Sequence, residues 1–116
     1  MQLIQPAPEG KRPYVIGPYA TPIARVLPGE TFQVETLDAF ENKVDSPDTN
    51  LEKVLHLPYV NPCTGPIYIE GAEKGDTLAV TILDIKMTRE YGVSCILPEF
   101  GGLCGTVFTR VLNPPL

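Results

Sequence analysis

Histidine occurs once in this 116-residue chain, at His56, and tryptophan not at all. A lone imidazole leaves a poor set of bases for proton transfer near neutral pH. The three cysteines, Cys63, Cys95 and Cys104, have neither C-x-x-C spacing nor an even count. A disulfide framework or metal knuckle is therefore not expected, and a reduced, cytoplasmic setting is. Long apolar runs are missing too: no stretch approaches the length needed to span a bilayer, and Pro6, Pro8, Gly10 and the Lys11–Arg12 pair interrupt any signal-peptide core. Positive charge is sparse and scattered, nine Lys and Arg against fourteen Asp and Glu for a net charge of −5. Without a basic stripe, neither nucleic acid nor an anionic membrane surface is an expected partner.

Proline and glycine are plentiful, at 13 and 10 residues. They leave no room for long helices and favour short strands joined by defined turns. With 43% hydrophobic residues the chain is long enough for one modest core. The expected fold is all-β, a β-sandwich or jelly-roll-like domain over residues 22–116, preceded by an extended N-terminal segment over 1–21.

A strand is expected over Ile23–Leu27, then a Pro28-Gly29-Glu30 turn, then a strand in which Phe32, Val34 and Thr36 share one face. Asp38 falls at the end of that face, where it must emerge from the core or meet a cation or hydrogen-bond donors. Residues 41–58 are polar and read as a loop or single-turn helix opening near Ser46-Pro47-Asp48. Ile67–Glu70 and Leu78–Leu83 alternate on either side of Lys74-Gly75-Asp76, which predicts a β-hairpin whose second strand is apolar on both faces. The pattern G-[ED]-T-x-x-V occurs at Gly29–Val34 and again at Gly75–Val80, as two similar turns into two similar strands. A further short strand is expected near Val93–Leu97, followed by a flexible glycine pair at Gly101-Gly102.

Asn61-Pro62-Cys63-Thr64-Gly65-Pro66 is a rigid turn that either connects two strands or forms a binding loop. Continued as NPCTGPIYIEGAEKGDTLAV, and taken with PGETFQVETLDAF (Pro28–Phe40) and PEFGGLCGT (Pro98–Thr106), it resembles the N-terminal part of the acetamidase/formamidase family of amide hydrolases. The three blocks match in order from about Pro22 to the end. Glu99 stands where the family usually has glycine, and Cys63 where a small aliphatic residue is common. The family's remaining signature, a Gly-Gly-Asn-x-Asp segment and a later stretch rich in Gly, Asp, His and Glu, is not in this sequence. Leu112–Leu116 looks like the place where family members run on.

The resemblance implies an amidase that releases ammonia from small linear amides, completed by a C-terminal half or subunit, with homo-oligomer formation expected. It also implies a divalent metal, zinc or another, with Asp38 as a ligand and catalytic carboxylate; the alternative reading of Asp38 is a turn-forming residue that caps the strand. Glu70 is the second catalytic candidate. Asn61, Thr64 and Gly65 are the substrate-binding candidates, and their side chains and backbone equally suit holding the turn together. His56 lies outside the matched blocks and reads as solvated or packed, and Cys63 reads as a small packed residue ahead of a nucleophile. A non-catalytic binding or assembly module with the same fold is the competing function.

Overall fold

Every regular element in the computed structural model, which describes residues 1–95 and 101–102, is short, because proline and glycine interrupt the chain before a ladder can lengthen. The described backbone is mostly non-helical, with few strands and one short helix, consistent with an all-β fold. Glu99, Cys104, the Leu112–Leu116 end and the last part of the strand expected at Val93–Leu97 lie outside the described residues. The chain divides into two compact units, one of residues 1–37 and 62–88, the other of 38–61 and 89–116.

In the first unit, β1 (Gln2–Ile4) pairs in parallel with β3 (Phe32–Val34), placing Ile4 opposite Val34. The pairing runs one step further, where the Glu35 N–H donates to the Ile4 carbonyl at 2.9 Å. β2 (Ala24–Val26) pairs in parallel with β4 (Ile67–Ile69), with Arg25 opposite Tyr68 and Val26 opposite Ile69. Pro66 has no N–H to give, but its carbonyl accepts from Ile23 at 2.9 Å, so the proline begins this ladder without breaking it. Ile4 and Val26 are the buried anchors of this unit. The N-terminal residues are thus part of a ladder from Gln2 onward.

The two echoed turns share one chemistry. Glu30 donates its N–H to the Leu27 carbonyl at 3.0 Å while its carboxylate accepts the Leu27 N–H at 2.8 Å. Asp76 repeats this on Glu73, at 3.1 and 2.9 Å. Between them Gly29 and Gly75 sit at φ +79° and +104°, which a side chain bearing a Cβ resists. The segments downstream of the two turns differ. The first turn leads into β3, whereas no strand is assigned to 77–87.

The hairpin expected between Ile67–Glu70 and Leu78–Leu83 is therefore not formed among the described residues. Ala72 first closes a turn on Ile69 at 3.2 Å and Asp76 then closes the next on Glu73, so two successive turns replace a single hairpin loop. The edge of β4 pairs with β2 instead. Alternating apolar residues announce strands but do not say which edge each will meet.

In the second unit, Val44 and Leu51 are buried. The polar stretch does contain a single helical turn, α1 (Leu51–Val54), beginning a little later than its Ser-Pro-Asp signal. Ser46 Oγ accepts the Asp48 N–H at 3.1 Å and the Ser46 carbonyl accepts from Thr49, so the signal is spent on a separate turn just before the helix. Among the described residues no helix is long and apolar enough to cross a membrane.

Candidate functional site

Asp38 is the centre of a closed loop in the second unit. Its Oδ1 accepts the N–H groups of Phe40 at 2.9 Å and Asn42 at 2.7 Å, and Asn42 Oδ1 accepts the Asp38 N–H in return at 3.1 Å. These bonds hold Glu41 and Asn42 at φ 58° and 60°, a left-handed conformation that costs a residue with a Cβ about 1–2 kcal/mol. Lys43 reaches back to the Glu41 carboxylate at 2.6 Å.

The other Asp38 oxygen, Oδ2, is paired with Arg89 Nη2. Both side chains are about one-fifth exposed, at 21% and 22%, so water screens the pair only partly. The Asp38 hydrogen bond is the main influence raising the Arg89 guanidinium above its ordinary value, against the opposing effect of burial. The guanidinium also lies over the Tyr91 ring, 4.9 Å from its centre. The cation that meets Asp38 is thus Arg89, although the face leading to it is not inward, since Val34 and Thr36 are exposed and β3 ends at Val34.

Asn61 belongs to the same unit. Its N–H donates to the Ala39 carbonyl at 3.0 Å, next to Asp38 in sequence, and its φ of 60° is again left-handed. The remaining candidates lie in the first unit. Thr64 donates its hydroxyl to the Glu35 carbonyl at 2.7 Å, and Cys63 donates its N–H to Pro13 at 2.8 Å. Gly65 is buried at φ +148°. Glu70 forms an ion pair with Arg25 at 2.9 Å, and that guanidinium stacks on Tyr68 at 4.3 Å. The Glu70 hydrogen bond is the largest cause of the raised Arg25 value.

The structure therefore brings Asp38 and Asn61 into one unit and places Thr64, Gly65 and Glu70 in the other. Arg25, Arg89 and Tyr91 are the residues that sequence reasoning did not single out. His56 is exposed. Cys63 and Cys95 are half-buried and outside any disulfide, and burial pushes the Cys95 thiol up, away from the thiolate a nucleophile needs.

A carboxylate is a sensible ligand for a divalent ion only with a lone pair free and no cation alongside. Asp38 already has three donors, one of them a guanidinium. In this arrangement the donor set does not fit a metal ion, which would have to displace Arg89. Among the described residues no three His, Cys, Asp or Glu side chains gather in a metal-binding group.

Residues 16–110 match the sequence model of the Acetamidase/Formamidase family. A formamidase from Methylophilus methylotrophus is 41% identical over 64 residues, which make up 54% of this chain and 16% of that protein. An acetamidase from Mycolicibacterium smegmatis is 38% identical over 63 residues, 53% of this chain and again 16% of the relative. The crystal structure of an acetamidase from Yersinia enterocolitica superposes with a TM-score of 0.67 at 35% identity, covering 99% of this chain and 36% of that one. The chain thus spans a minor part of the length of each of these relatives.

Proposed function

The chain belongs to the acetamidase/formamidase family, and from that membership we propose that it contributes the N-terminal part of an amide hydrolase acting on small linear amides, with release of ammonia. The observation that carries the proposal is the ordered match of three motif blocks, the middle one forming a turn tied down at Asn61, Cys63 and Thr64. Hydrolysis of such an amide needs an activated water, a polarised carbonyl and an acid for the departing ammonia. On this reading Asp38 and Glu70 are the carboxylates assigned to that chemistry, and Asn61, Thr64 and Gly65 present donors and acceptors to the amide. A β-sandwich, a cytoplasmic setting and homo-oligomer formation belong to the same proposal. So does a divalent metal in the complete enzyme, although Asp38 as paired with Arg89 does not fit as its ligand.

The 116-residue chain alone is expected to release no ammonia from formamide or acetamide. Activity is expected on adding a divalent metal together with a polypeptide carrying the part of the Yersinia acetamidase that has no counterpart here. Asp38→Asn should then lower the rate on the order of 10–100-fold, and His56→Ala should leave it unchanged. Ammonia release by the chain alone, or full activity of the Asp38→Asn mixture, would overturn the assignment. The engagement of all the Asp38 oxygens favours a second reading, a non-catalytic binding or assembly module; a mixture that assembles but hydrolyses nothing is its expected signature.

A further inference from the structure

Residues 77–88 are exposed without exception. Among them Leu78, Val80, Ile82, Leu83, Ile85 and Met87 leave between 55% and 79% of their surface in solvent. No backbone hydrogen bond joins 77–87 to any other described residue. A contiguous apolar run of this kind marks a surface that something else covers. The sequence says what kind of surface. In a strand, Leu78, Val80 and Ile82 share a face with Asp84 and Lys86, while Thr81, Leu83, Ile85 and Met87 share the other. The apolar side changes halfway along, and Asp84 and Lys86 pair with each other at 3.6 Å where the first face turns polar.

We propose that residues 78–87 are a β-strand completed by the part of the acetamidase/formamidase fold that these 116 residues do not include, which adds neighbours along both edges and apolar cover on both faces. A strand apolar on both sides needs a layer above and another below, as well as ladder partners. The described strands are three residues each and are paired two by two, too short to serve a ten-residue strand. A second copy would bring another such strand and leave the outer faces of both uncovered. The Yersinia acetamidase, by contrast, is matched over only 36% of its length, so most of its chain is additional to what is present here. This inference rests on family membership and is independent of the hydrolytic reading.

The test is co-expression of the tagged 116-residue chain with the untagged remainder of the Yersinia acetamidase. That remainder, co-expressed with the matched portion of its own protein, serves as the control for a competent probe. Co-purification is expected, with amide exchange across 78–87 slowed on the order of 100-fold relative to the chain alone. Thr81→Pro, which removes a ladder donor, and Ile82→Asp, which charges a covered face, should each abolish both effects. Neither should alter the circular dichroism of the free chain, because both positions are exposed in it. Failure to co-purify beside a working control overturns the proposal. So does slow exchange of 78–87 in the dilute chain alone, which would mean that its own residues cover the segment, or protection that rises with its own concentration, which would mean a second copy. Protection in a mixture that releases no ammonia leaves this inference standing and removes the hydrolytic one.

Discussion

Removing the Asp38 side chain leaves the N–H groups of Phe40 and Asn42 without this acceptor and the Arg89 guanidinium without its carboxylate. Asp38→Ala should therefore destabilise the chain by about 1–3 kcal/mol, read as a lowered urea midpoint. Asn42→Gly should cost less, since glycine accepts φ 60° and only one acceptor is lost. Equal midpoints for Asp38→Ala and the parent chain would show that the loop is not held through this residue. Sequence alternation left Asp38 either to emerge from the core or to meet a cation or donors, and the structure shows the cation and the donors. Alternation could not name Arg89, because the partner is remote in sequence and any of nine Lys and Arg residues satisfies the same rule. The arginine–aromatic stacks escaped notice for the same reason: Arg25 meets Tyr68 only through the β2–β4 register.

Turns were the elements most legible in the sequence, since glycine, aspartate and glutamate act on the backbone within a few residues of themselves. The repeated G-[ED]-T signal yields the same pair of hydrogen bonds twice. Gly75→Ala should cost about 1 kcal/mol in a thermal melt through backbone strain alone, because open space surrounds the added carbon at φ +104°. Gly92→Ala, also in open space but without a positive φ, should be neutral or slightly stabilising. Similar costs at the two positions would remove backbone strain as the explanation. Ladders were less legible. Both observed pairings are parallel and join segments distant in sequence, so local pattern carries no record of which edge meets which.

For the whole molecule, the chain leaves its first unit after Leu37, returns at Pro62 and leaves again after Thr88. The residues at these crossings are the ones that bind each other within the second unit. Asp38 and Arg89 pair, and Asn61 donates to Ala39. A segment whose ends are fastened to one another gives up little further entropy in closing the loop between them. The same arrangement explains why part of the candidate site was visible in sequence and part was not. Asp38 and Asn61 were both singled out from their motifs, but only the fold shows that adjoining backbone ties them together.

The twin turns have a use as a measuring device. Glu30 and Asp76 each report the same hydrogen bond in the same local chemistry, one ahead of a paired strand and one ahead of a segment with no ladder partner among the described residues. The first is a reference and the second a sample, read in a single spectrum under one set of conditions. The ratio of their amide exchange rates expresses, in units of free energy, what pairing of the downstream segment adds to a turn. As a partner occupies residues 78–87, that ratio should fall toward unity. The protein thus carries its own calibrated scale for the progress of its assembly.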